Sequence, residues 1–185
     1  MRLEGKLVEL KAKVENLDPF RKRLKELNAQ YIGAFHQIDT YFEVPKGRLK
    51  LREIKGGEEA ELIYYEREDT SKPKRSEVFI LKIQKPKAFK ALFEKVLKKK
   101  VVVEKIREIY HYKGTQIHLD IVNGLGTFIE FERKTKGSPE STSEDREVLL
   151  ELMGKIGIKD KNLIRGSYSD LKLTKTTGNP HLSYL

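Results

Sequence analysis

Ionic side chains occupy every second position in one short segment of this chain after another. In "VELKAKV", Glu9, Lys11 and Lys13 alternate with Val8, Leu10, Ala12 and Val14; in "GRLKLRE", Arg48, Lys50 and Arg52 alternate with Leu49 and Leu51. Residues two apart on an extended strand share a face, so each segment has one apolar and one charged side. "RSE" contributes Arg75 and Glu77, "EKIREIY" Lys105 and Arg107, and "IHLDIV" His118 and Asp120. "FIEFER" sets Glu130 and Glu132 against Ile129 and Phe131. This period of two is the signature of strands and dictates a protein built mainly from sheet.

The spacing predicts strands over Lys6–Val14, Gln30–Phe42, Arg48–Ile54, Glu61–Glu66, Arg75–Ile83, Val101–Tyr112, Thr115–Val122 and Thr127–Lys134. Three stretches have helical periodicity instead. Pro19–Ala29 follows Asp18 as N-cap, Lys87–Lys99 carries Phe89, Leu92, Phe93 and Val96 on one face, and Glu144–Ile156 follows Ser143. "SYSDL" at Ser167–Leu171 starts a further short turn of helix. Turn formers place loops at Lys55–Glu58, Asp69–Lys74 and Thr135–Ser143, with Lys98–Lys100 as a solvated basic helix end. The expected class is α+β, one domain over residues 1–175 with a flexible tail over 176–185. About eight antiparallel strands are enough to curl or close. A sheet with one face in water accounts for any single strand. An eight-stranded antiparallel β-barrel, with helices packed outside and a polar lumen, accounts for paired charges on six strands at once.

A lumen of that kind needs a partner. Glu9, Asp120, Glu130 and Glu132 are hard oxygen ligands suited to Mg2+ or Mn2+. Lys11, Lys50, Arg52, Arg75, Lys105 and Arg107 offer donors for phosphate oxygens. Acids and bases together point to a metal-bound polyphosphate. The formal charge of +10, from 38 Lys and Arg against 28 Asp and Glu, agrees with an anionic partner. It agrees equally with a solvated, heat-adapted surface. There is no cysteine, which excludes disulfides and thiolate metal sites. No apolar run nears the roughly 18–20 residues that span a bilayer, and "MRLEGKLVEL" lacks a signal-peptide core. A cytoplasmic protein with no membrane partner is expected. Nucleic acid is not the expected partner either: Tyr64 and Tyr65 are the one tempting aromatic pair, and alternation puts at least one of them in the core. His118 shares a face with Asp120 and is open to metal or substrate, although a lone histidine is more often a structural hydrogen-bonder; Asp39 and Tyr41 read as wall or core without chemistry.

In order and spacing, "VELKAKV", "QIDTYFE" (Gln37–Glu43), "RLKLRE", "KIREIY" and "HLDIVNGLGTFIEFE" (His118–Glu132) resemble the CYTH superfamily of class IV adenylate cyclases and thiamine triphosphatases. The resemblance runs from about Leu7 to Leu171, because "SYSDL" is similar to the C-terminal motif of that family. It implies a triphosphate tunnel of eight antiparallel strands, with inward Lys and Arg on the phosphates and inward carboxylates on one or two divalent cations. Glu9 and Lys11 match the N-terminal motif; Lys50 with Arg52, Arg75 with Glu77, and Lys105 with Arg107 match the later ones. Asp120, Glu130 and Glu132 match the metal-binding acids, and Gly124 and Gly126 the turn between their strands. Two positions depart from the pattern: Leu7 stands where the family has a further Glu, and Tyr65 with Glu66 where many members have a fourth-strand Lys. The activity implied is a class IV adenylate cyclase-like conversion of ATP to cyclic AMP and pyrophosphate, resting on Lys11, Arg52 and Glu130. Hydrolysis of thiamine, nucleoside or inorganic triphosphate is the alternative reaction. A non-catalytic polyphosphate or RNA binder is the third reading, and a homodimer is admitted as an assembly.

Overall fold

The computed structural model describes residues 2–67 and 70–177. Strands β1 (Arg2–Val14), β2 (Gln30–Phe42), β3 (Arg48–Ile54) and β4 (Ala60–Arg67) form the first half. β5 (Lys74–Ile83), β6 (Lys99–Tyr112), β7 (Thr115–Val122) and β8 (Gly126–Thr135) form the second. They close into a barrel in the order β1-β5-β4-β3-β2-β6-β7-β8. Every neighbouring pair is antiparallel. Closure leaves no sheet edge, so the ladder hydrogen bonds are satisfied around the ring.

The alternation in the sequence divides outside from inside. Val8, Leu10 and Ala12 of β1, Ile117 and Leu119 of β7, and Ile129 and Phe131 of β8 all point outward and are buried. They pack against α1 (Asp18–Glu26) through Leu24 and against α3 (Pro139–Ile156) through Leu149, Leu152, Met153 and Ile156. Each of the larger side chains, Ala12 apart, contributes about 1.5–3 kcal/mol by leaving water, so this face of the barrel anchors the helices. Around the ring, Phe93 of α2 (Pro86–Val96) and Leu97 pack on Phe42, Leu51 and Ala60. α4 (Tyr168–Thr177) sends its first residue inside, with the Tyr168 ring 5.0 Å from that of Phe128.

Element boundaries differ from the sequence expectation in instructive ways. α3 starts at Pro139, not Glu144, because Ser138 is the cap: its hydroxyl accepts from the Ser141 N–H at 3.2 Å, and Pro139 suits the first turn. α1 is entered through Leu17, while Asp18 already lies in its first turn. Lys99 and Lys100 open β6 rather than closing α2. α4 extends to Thr177, into the stretch expected as tail; residues 178–185 lie outside the described residues, as does part of the expected 69–74 loop. Among the described residues no helix is long and apolar enough to cross a membrane.

Candidate functional site

The charged faces meet inside the barrel, around a cavity of about 120 Å3 that is partly open to solvent. The lining divides into two poles. At the basic pole, the β2–β3 register sets Asp39 opposite Arg52. Arg52 donates to Asp39 from Nε at 2.8 Å and from Nη2 at 3.0 Å. Lys50 donates to the same carboxylate at 3.0 Å and Lys105 at 2.7 Å. One negative charge thus faces three positive ones. Burial alone would raise the Asp39 carboxyl, but Arg52, Lys105 and Lys50 hold it well below the usual carboxylate range. Burial pulls the Lys105 ammonium down to about 7, and Asp39 offsets that only in part. Lys50 is lowered to about 8, first by burial and then by the Arg52 charge. A cluster with surplus positive charge and depressed lysines is relieved by an incoming anion, which favours the charged forms.

The acidic pole is built by β1, β7 and β8. Arg107 grips Asp120 through Nε at 2.8 Å and Nη2 at 2.6 Å, and its Nη2 also donates to Glu130 at 2.6 Å. The Tyr168 hydroxyl donates to Asp120 at 2.6 Å. Lys11 pairs with Glu130 at 2.9 Å, and its ammonium lies 3.9 Å from the centre of the Tyr168 ring. Burial would raise Glu130, yet Lys11 and Arg107 keep it well below its ordinary value. Glu9 accepts from Arg67 at 2.7 Å. Across the ladder Glu9 is opposite Glu132 and His118 is opposite Glu130. The His118 ring is 2% exposed, and among the described residues neither ring nitrogen makes a hydrogen bond, with Nδ1 only in longer contact with Glu130 at 3.5 Å and Glu132 at 3.8 Å. One ligand atom from each of His118, Glu130 and Glu132 can be chosen so that all lie within 4.8 Å of one another. That orphaned buried ring beside two carboxylates fits a divalent cation in chemistry and in spacing.

Of the expected site residues, Glu9, Lys11, Lys50, Arg52, Lys105, Arg107, Glu130 and Glu132 line the lumen together. Asp120 is fully buried, held by Arg107 and Tyr168. Glu130 and Glu132 come within reach of one cation together with His118, although Glu130 is held by Arg107 and Lys11 just as Glu9 is held by Arg67 and Asp120 by Arg107. Arg75 requires a correction: it does not enter the lumen. The β1–β5 register pairs Leu7 with Ser76 and Val8 with Arg75, so Ser76 faces in and Arg75 faces out beside the outer core. There it pairs with Glu77 at 2.6 Å. Asp39, read as wall or core, is instead the hub of the basic pole. Arg67 was missed, although it continues the Ile63, Tyr65, Arg67 alternation; the strand runs one residue beyond the expected Glu66. It brings to β4 a cation inside the lumen, on the strand where Tyr65 replaces the expected lysine. Lys74 is also inside, donating to the Thr70 and Arg165 carbonyls, with burial lowering its ammonium to about 7.

The comparisons with known proteins agree with this architecture. A family model described as CYTH domain matches residues 6–168. A protein of Methanocaldococcus jannaschii named "Putative adenylate cyclase MJ0240" is 28% identical over 174 residues, covering 89% of this chain and 97% of that one. The solved PH1012 protein from Pyrococcus horikoshii OT3 superposes with a TM-score of 0.79 at 26% identity, covering 89% of this chain and 98% of its own. HpAC1 from Hippeastrum, described as a "Putative adenylyl cyclase" with a dominant triphosphatase activity, shares the fold at a TM-score of 0.61 and 16% identity, covering 96% of each chain.

Proposed function

The chain belongs to the CYTH domain family, and from that premise we propose that it is a divalent-cation-dependent enzyme that grips the phosphates of a nucleoside triphosphate inside its barrel. The reaction we infer is conversion of ATP to cyclic AMP and pyrophosphate. The observation that carries the reading is the basic pole, where Lys50, Arg52 and Lys105 all pair with the one carboxylate of Asp39. Desolvated donors already fixed in place need no reorganisation when charge builds on a departing pyrophosphate.

The roles follow from position. Arg52 presents a planar donor set and Lys50 and Lys105 point charges to the distal phosphates. Lys11 and Arg107 stand between the poles, each now bound to Glu130, and can turn donors to the phosphate under attack. Mg2+ or Mn2+ at Glu130 and Glu132, with Glu9 and Asp120 at hand, would polarise that phosphoryl group and ease loss of the attacking hydroxyl proton. Glu130, held ionised by Lys11 and Arg107, keeps the negative charge that such a cation needs. An apolar strip of Leu7, Ile63, Val78 and Ile80 lines the wall formed by β1, β4 and β5, which supports an organic group on the triphosphate. The name carried by the Methanocaldococcus relative supports the cyclase branch.

Hydrolysis is the second reading, with water attacking the terminal phosphate and the same cations neutralising the product. The dominant triphosphatase activity of the Hippeastrum protein favours it. Purified protein incubated with ATP, inorganic triphosphate or thiamine triphosphate, each with Mg2+ or Mn2+, separates the readings by product. Cyclic AMP with pyrophosphate is the expected result, and orthophosphate would select hydrolysis. Neither product, with metal-dependent binding retained, would replace the enzyme by a polyphosphate binder.

A further inference from the structure

We propose that His118 is the nitrogen ligand of a mixed histidine–carboxylate metal site completed by Glu130 and Glu132, and that this nitrogen makes the site prefer Mn2+ to Mg2+. The inference rests on the metal-dependent reading above and narrows it to a class of cation.

A buried imidazole with no hydrogen bond at either nitrogen among the described residues is costly to desolvate, so its retention calls for a missing partner. The partner must sit between the ring and the acids. The β7–β8 register places His118 directly across from Glu130, and Gln116 two residues away across from Glu132. His118 Nδ1 therefore lies 3.5 Å from a Glu130 oxygen and 3.8 Å from a Glu132 oxygen. A charged imidazolium hydrogen bond would close to roughly 2.7–2.9 Å, and these contacts do not. They match two donors sharing one ion. Ligands each about 2.1 Å from a cation are about 3 Å apart when adjacent and about 4 Å apart when opposite.

The donor set also sorts the cations. Mg2+ requires near-ideal octahedral oxygen coordination and gives up water reluctantly. Imidazole nitrogen suits transition ions, and Mn2+ accepts nitrogen and carboxylate oxygen together. A site with one nitrogen and two carboxylates therefore gains affinity for Mn2+ that it does not gain for Mg2+.

The test titrates Mn2+ alone into the purified full-length protein, with loss of the free-ion electron paramagnetic resonance signal reporting binding. Pulsed measurement on the bound ion then looks for nitrogen hyperfine coupling, which moves to the 15N frequency when histidine is 15N-labelled. Coupling in the wild type, its loss in His118→Gln, and a fall of about tenfold or more in Mn2+ affinity with little change for Mg2+ support the site. Bound Mn2+ without nitrogen coupling overturns it, as does an equal loss of both metals or no Mn2+ binding. Absence of nitrogen coupling in the wild type overturns the site even if the variant does not fold. Tripolyphosphate binding measured by calorimetry without metal tests the underlying reading separately. Retained binding with no nitrogen signal removes His118 as a ligand and leaves the phosphate pole standing; absent binding removes the pole itself.

Discussion

Arg52 and Arg75 are the same residue type on strands of the same barrel, and one step of strand parity separates their fates. Arg52 faces inward on Asp39, while Arg75 faces outward on Glu77. Arg52→Ala is therefore expected to weaken tripolyphosphate binding about tenfold or more, since charged hydrogen bonds contribute about 1.5–3 kcal/mol. Arg75→Ala should stay within about twofold, and calorimetric titration of both variants gives the comparison. Equal losses would mean that the inward set has been assigned to the wrong residues. Sequence patterning found Lys11, Lys50, Arg52, Lys105 and Arg107 because each shares a face with another charge on an otherwise apolar strand. It misplaced Arg75 because "RSE" is charged on one face and small on the other, so alternation alone does not say which face is inside. It missed the role of Asp39 because a lone acid becomes a hub only when the register brings Arg52, Lys50 and Lys105 to it.

At the scale of the element, the β7–β8 hairpin matters most, because it sets His118 opposite Glu130. Its turn passes through Gly124 at φ 77° and Gly126 at φ 102°, conformations that favour glycine. A Cβ at Gly124 would meet no atom within 4 Å, so the cost of Gly124→Ala is backbone strain and not a clash. That substitution should lower unfolding free energy by about 1–2 kcal/mol with an unchanged urea m-value. No loss of stability would show that the turn does not need the glycine conformation. Strand and helix identities were legible because period-two and 3.6-residue patterns alternate cleanly along the chain. The ends were less legible: Ser138 and Ser143 both look like caps, and only the observed Ser141 N–H bond chooses between them.

For the molecule as a whole, pH separates folding from ligand binding. Lys105 and Lys50 have folded values of about 7 and about 8, below the ordinary 10.5. Between these values and 10.5 the unfolded chain binds more protons than the folded one, so stability rises with pH through that window. Below about 7 both are charged in either state, and the buried positive charge remains a cost. Anion binding runs the other way, because the anion needs those lysines charged. Denaturant midpoints should therefore climb from pH 7 to 9 while tripolyphosphate affinity falls, with proton uptake on binding seen as a buffer-dependent calorimetric heat. If stability and affinity move together over this range, the buried lysines do not titrate there. At the acid end Asp39 and Glu130, both held well below their ordinary values, add stability that is lost as pH falls through their depressed range.

The sequence by itself determined that alternate residues on six of the eight strands carry charge on one face, because side-chain direction on a strand is fixed by the backbone. The motif order made the resemblance to the family legible as well. Only the tertiary structure decided which face closes inward at β5, which carboxylate gathers three cations, and which acids lie beside the buried His118 imidazole. Those outcomes depend on interstrand register, a relation between segments as distant as Asp39 and Lys105 that no local pattern encodes.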